Sequence, residues 1–257
     1  MDCAKYEDLS PESILDDNYL KTHYLGFSYI VPTTDDEVEQ QKFYSTVFRN
    51  INQQGVELQG QESRRALYYL NADLVKFFEP SFLSQVRVVQ NGRNMRYDFV
   101  RSMAFLSQYE HQGKENNIAV KCYRQEQLEQ WYEDYINAAV VDRESLRFGK
   151  FSNIVGAANI TGRLALLEKY ICELDLSKKY PSIIDADVNL FGLIYHTVIK
   201  GCTFDMARKE EIQQAVNTKC DAIKTEAHKR SPNRVSHLRQ RIKESIILYK
   251  DFANAPA

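Results

Sequence analysis

The hydrophobic rhythm of the chain changes several times, and the changes outline its elements. "YLGFSYIVP", residues 24–32, is a short aromatic and β-branched run stopped by proline, and it predicts the clearest strand in the sequence. "TTDDEVEQQKFYSTVFRNI" follows with a threonine cap, acidic residues suited to the positive end of a helix dipole, and apolar positions at Val38, Val47, Phe48 and Ile51. A helix over 35–51 is expected. After a polar turn around Gly55, Leu67, Leu70, Leu74 and Phe78 recur at three- and four-residue spacing, predicting one helix from Gln61 to near Pro80. "VRVVQNGRN" offers a turn at Asn91-Gly92, and Phe99, Met103 and Leu106 share one side of a helix over 97–109. Beyond the polar stretch 110–117, helices are expected over 125–141, 153–174, 184–200, 207–229 and 232–252, with Ser231 as N-cap of the last and Pro232 at its first position.

This pattern describes a mainly α protein of the α+β kind, with a small sheet near the N-terminus followed by a helical bundle. The polar stretch divides it into a first domain, 1–115, and an α-helical domain, 116–257. At 257 residues with 44% hydrophobic residues the chain can bury a substantial core, while 10 Gly and 6 Pro leave few tight turns. The formal net charge of -2 excludes a uniformly basic coat protein, so nucleic-acid binding needs a local patch. Cys3, Cys122, Cys172, Cys202 and Cys220 are odd in number and scattered, which points neither to a disulfide framework nor to a zinc site. The five histidines, His23, His111, His196, His228 and His237, likewise suggest no metal, and the last pair is expected at the surface. No stretch reaches the length of a membrane span and the N-terminus lacks signal-peptide features, so a cytoplasmic location is expected.

Two places carry candidate chemistry. In "VFRNINQQGVELQGQESRRAL", residues 47–67, Asn52, Gln53 and Gln54 offer donors and acceptors beside Gly55, a residue that lets a ligand approach the backbone. The plain alternative makes Gly55 an ordinary helix cap with solvated amides. Glu62, Arg64 and Arg65 open the next helix, where arginines oppose the dipole; they either pair with carboxylates or face an anion. Arg93, Arg96 and Arg101 raise the same choice, with Arg101 expected to face solvent. In "HKRSPNRVSHLRQRIK", Lys229, Arg230, Arg234, Arg239, Arg241 and Lys243 concentrate six cations, either a phosphate-binding stripe or a solvated helix face. Self-contained catalytic signatures such as the phosphate-binding Gly-Lys-Ser/Thr loop, Gly-x-Gly-x-x-Gly, His-Glu-x-x-His and Gly-x-Ser-x-Gly are absent.

Val47, Phe48, Ile51, Asn52, Gly55, Leu58, Gln61, Glu62, Arg64 and Ala66 resemble the second signature region of the ParB-like domain at the N-terminus of GmrSD-type modification-dependent restriction systems. "RYDFVRSMAF" and "SPNRVSHLRQRIKESIILY" look like later parts of that family, so the resemblance spans residues 27–249. Two departures stand out: Asn50 occupies a position where the family has arginine, and the family's Asp-Gly-Gln-Gln-Arg signature does not occur in this chain. The resemblance implies a ParB/sulfiredoxin-like sheet, a nucleoside triphosphate with or without a divalent metal, and a function in phage defence. On that basis the chain is expected to be a partial or split component, truncated relative to the family, whose Asn52, Gly55 and Arg64 line one wall of a nucleotide- or DNA-facing cleft. A partner chain would carry the missing signature. The competing expectation is a non-catalytic DNA- or protein-binding regulatory module that uses the helical half.

Overall fold

The computed structural model describes residues 31–36, 39–40, 43–44, 47, 64–65, 67–69, 71–90, 92–112, 125–156 and 159–255. The strand expected over 24–32 lies outside them except for Val31 and Pro32, as do Asn52, Gln53, Gln54, Gly55 and Glu62. By contacts the chain forms two units, residues 1–40 and 41–257. In the first, the Asp36 amide donates to Thr34 Oγ1 and the Glu39 amide to Asp36 Oδ1, a capping arrangement ahead of helical Glu39 and Gln40. Phe43, Tyr44 and Val47 of the second unit are also helical.

The second unit is mainly α. Residues 64–65 and 67–68 are helical, and a separate helix, α1, runs Ala72–Phe78. The single helix expected up to Pro80 is therefore interrupted: Asn71 leaves helical geometry and its Oδ1 accepts from the amides of Asp73 and Leu74, starting a new helix. Strands β1 (Arg87–Gln90) and β2 (Arg93–Arg96) form a hairpin whose connection includes Gly92 at φ 75°. β3 (Lys179–Tyr180) pairs parallel to β1, giving the order β2-β1-β3.

Helices α2 (Phe99–Gln112) and α3 (Gln125–Val140) follow, then α4 (Phe151–Val155) and α5 (Ile160–Glu173). Gly156, at φ 61°, ends α4 and separates what the apolar spacing suggests is one helix. Arg163 of α5 fills that corner. Its Nη1 donates to the carbonyls of Val155, Val198 and Ile199, main-chain oxygens at two helix ends. A Cβ at Gly156 would lie 2.7 Å from this guanidinium, so the glycine is needed for the approach as well as for the positive φ.

Central to the unit is α6 (Ile183–Ile194), buried from Ile184 through Ile194 and extended by a π-helical turn, Tyr195–Ile199. Ser182 caps it by accepting from the Asp185 amide. After β4 (Thr203–Phe204) come α7 (Lys209–Ile223), α8 (Glu226–Arg230), α9 (Val235–Lys250) and β5 (Ala253–Asn254), which pairs antiparallel with β4. The helix expected over 207–229 breaks at Thr225, whose Oγ1 accepts from the His228 amide and starts α8. Ser231 is the C-cap of α8 rather than an N-cap, and α9 begins at Val235 after a turn in which the Arg234 amide donates to the Ser231 carbonyl. Pro232 thus belongs to the connection.

The apolar core is continuous across the expected 115/116 division. Phe105 of α2 stacks obliquely on Trp131 of α3 at 4.6 Å, and Phe78, Tyr135 and Phe148 extend the same aromatic layer. Helices from both expected domains bury one another, so that division does not coincide with a break in packing.

Candidate functional site

The two strands β1 and β2 are joined so tightly that Arg87 stands opposite Arg96. The Tyr97 amide donates to the Val86 carbonyl, which makes the neighbouring Arg87–Arg96 position a non-hydrogen-bonded pair, where side chains come closest. Like charges opposite one another weaken a sheet. Here they line a cavity of about 340 Å³ between the hairpin, the end of α1 and the start of α2.

Arg64 and Arg65 reach the same cavity from the helical residues before α1, and Tyr68, Glu79, Ser84, Asn94, Tyr97 and Asp98 add to its polar lining. Four arginines face two carboxylates. Arg64 is almost wholly buried, bonds Asp98 at 2.5 Å, stands 3.2 Å from Glu129 and lies over the Tyr132 ring at 4.7 Å. Burial works against its charge, but Asp98 and Glu129 outweigh that cost and hold its pKa above the usual arginine value. Arg65 grips both oxygens of Glu79, at 2.7 and 2.5 Å, while the Tyr68 hydroxyl donates to one of them at 2.5 Å. Burial raises the Glu79 carboxyl, yet the Arg65 and Tyr68 hydrogen bonds and the nearby Arg65 and Arg96 charges bring it below its ordinary value. Arg87 differs: its Nη1 is buried and has no hydrogen-bond partner among the described residues.

A second cavity of about 140 Å³ shares Arg64, Met95, Arg96, Tyr97 and Asp98 with the first and continues to Arg101. The expectation that Arg101 faces solvent is corrected. Its guanidinium meets both oxygens of the fully buried Asp187, at 2.6 and 2.8 Å. Arg241 Nε donates to the same carboxylate at 2.9 Å, and its Nη1 and Nη2 find no partner among the described residues. Burial and the Asp187 carboxylate pull in opposite directions on both guanidiniums. The bidentate contact keeps Arg101 above the usual value, whereas Arg241, with one contact and Arg101 beside it, falls below.

The C-terminal cations are thereby sorted. Arg241, expected in a nucleic-acid-binding stripe, is fully buried in the core and cannot touch a phosphate backbone. Lys229, Arg230, Arg234 and Lys243 are exposed, Arg239 is partly buried, and Lys229 stands 3.0 Å from Glu226. The expected surface position of His228 is also corrected: it is buried, stacks on His237 at 4.0 Å and meets the His237 carbonyl at 3.4 Å.

Of the residues proposed from the sequence for the cleft wall, Arg64 is placed at the cavity, and Arg65 and Arg96, for which the sequence left open pairing with a carboxylate or facing an anion, line it too. Arg87, Tyr68 and Glu79, which the sequence did not single out, join them. The signal for Arg87 and Arg96 lies in "VRVVQNGRNMR": a two-residue Asn-Gly connection pairs Gln90 with Arg93 and therefore Arg87 with Arg96. The cavity can hold an anion through arginine forks. Among the described residues no group of three or more His, Cys, Asp or Glu side chains is placed to hold a metal ion. No helix of the described residues is long and apolar enough to cross a membrane. No family model, curated protein or solved structure matches this chain.

Proposed function

We propose that this chain binds a phosphate-bearing ligand, a nucleotide or the end of a nucleic-acid strand, in the arginine-lined cavity beside the β1–β2 hairpin. In this reading it supplies one wall of a nucleotide- or DNA-facing cleft in a split restriction-type defence protein whose Asp-Gly-Gln-Gln-Arg half belongs to a partner chain. The observation that carries the reading is Arg87: a buried Nη1 donor without a hydrogen-bond partner in a cavity it shares with Arg65 and Arg96. A buried charged donor left unmatched is costly, and an incoming phosphate oxygen offsets that cost. Volume sets the ligand class, since about 340 Å³ admits a small molecule or one extruded nucleotide and not a duplex. Arg64, locked by Asp98, is the fixed part of the wall, while Arg87 and Arg96 meet the anion. None of these residues is assigned a catalytic step.

Calorimetric titration with ATP and with a 5′-phosphorylated single-stranded oligonucleotide tests the reading. Salt-sensitive binding is expected, weakened about tenfold or more in Arg87→Gln, the factor that 1.4 kcal/mol represents. Absence of binding by both ligands removes the proposal. A second reading, a DNA-contacting helical face, is favoured only by the exposure of Lys229, Arg230, Arg234 and Lys243. Oligonucleotide binding lost in Arg230→Gln/Arg234→Gln but retained in Arg87→Gln selects it instead.

A further inference from the structure

We propose that Glu79 is an internal competitor for the cavity's anion, its carboxylate occupying the place on Arg65 that a phosphate oxygen takes when ligand binds, with the Tyr68 hydroxyl holding the carboxylate there. The inference rests on the reading of the cavity as an anion site and adds how access to it is controlled. Glu79 is the C-cap of α1, at the helix end where a negative charge is electrostatically unwelcome. It is held there by the two-pronged Arg65 contact and the Tyr68 hydroxyl, the geometry by which arginine also takes phosphate. All three side chains line the same cavity as Arg87 and Arg96.

Exposure separates the movable part of this lining from the fixed part. The Arg65 side chain is 48% exposed and that of Glu79 25%, whereas the Arg64 side chain retains only 2%. An ion pair as open as Arg65–Glu79 is weakly held and rearranges readily. Arg64, enclosed between Asp98 and Glu129, does not. Swinging Glu79 outward frees the Arg65 fork and removes the one lining carboxylate that Arg64 does not neutralise. An anion then meets Arg65 together with Arg87 and Arg96 of the hairpin, which line the same cavity.

The test is calorimetric titration of inorganic pyrophosphate, at fixed ionic strength, into the wild-type chain, Glu79→Gln, Tyr68→Phe and Arg87→Gln. Glu79→Gln keeps the shape of the side chain and is expected to bind about tenfold tighter. Tyr68→Phe leaves the Arg65–Glu79 pair but loosens it, and is expected to shift affinity in the same direction by less. Arg87→Gln is expected to weaken binding both alone and when combined with Glu79→Gln. Equal affinity of wild type, Glu79→Gln and Tyr68→Phe, with Arg87 still required, overturns the competitor role and leaves the anion site standing. Tighter binding that ignores Arg87 places the anion elsewhere and also overturns it. If no variant binds pyrophosphate, the anion site and the competitor fall together. Should Glu79→Gln fail to fold, Tyr68→Phe decides alone: affinity equal to wild type counts against the proposal.

Discussion

Asp187 accepts from Arg101 and Arg241 with no part of its side chain reaching solvent, so one carboxylate stabilises two guanidiniums. Removing it leaves two buried cations facing each other. Asp187→Asn is therefore expected to cost about 3–5 kcal/mol, read as a lowered urea midpoint at pH 7. Arg241→Met should cost less, because Asp187 keeps its two contacts to Arg101 and an apolar chain replaces donors that lack partners. Equal midpoints for Asp187→Asn and wild type would mean the network contributes nothing. A thiol gives a second residue-scale expectation: burial pushes Cys220 up to about 12, whereas Cys172 is exposed. In the native protein at pH 8, iodoacetamide should label Cys172 and spare Cys220, as peptide mapping will show. Why the sequence misplaces Arg241 is clear at this scale. Its neighbours in the chain are basic and exposed, but its partner is 54 positions away, and local spacing carries no information about such a pair.

At the scale of elements, apolar periodicity located the helices and missed their interruptions. Leu67, Leu74 and Phe78 are buried as their spacing predicts, yet Asn71 restarts the helix between them. Thr225 interrupts a later run in the same way, while Gly156, in the left-handed conformation, ends another. A side chain that caps a new helix competes locally with continuation of the old one, and hydrophobic rhythm does not register that competition. The closest approach of two elements depends equally on one small residue. Where α6 crosses α9, the Gly192 amide donates to Ser245 Oγ at 2.7 Å, and a Cβ at Gly192 would sit 2.2 Å from the Ser245 carbonyl oxygen. The obstacle is backbone, which cannot turn aside as a side chain can. Gly192→Ala should therefore destabilise by about 1–3 kcal/mol or more despite its favourable helix propensity, visible as a lower thermal midpoint. A midpoint at or above wild type would show that the helices separate at little cost.

For the whole molecule, what was legible is the mainly α architecture with its small sheet. The cavity was legible only as separate arginines, Arg64, Arg65 and Arg96, because its lining is assembled by β1 and β2, α1 and the start of α2 together. The same dispersed assembly governs the response to acid. Burial lowers the pKa of His196 despite its hydrogen bond to the Ile246 carbonyl, with Lys200 and Lys250 adding to the effect. Burial also lowers His228, together with His237 and Arg241, against the weak hydrogen bond to the His237 carbonyl. Each imidazole binds a proton more readily in the unfolded chain than in the folded one. Their contribution is thus complete above the ordinary value of 6.5 and is lost as pH falls below it. Glu79 and Asp142 add a later stage. Both carboxyls lie below their ordinary values of 4.5 and 3.8, so the stability they confer persists through the histidine stage and declines only beneath those values. Unfolding free energy measured in urea from pH 8 to pH 3 should therefore fall in two stages. His228→Gln should diminish the first and Glu79→Gln the second. A flat profile between pH 7.5 and 5.5 in the wild-type chain would show that the buried histidines ionise in the folded protein as easily as in the unfolded one, against their placement beside Arg241 and Lys200.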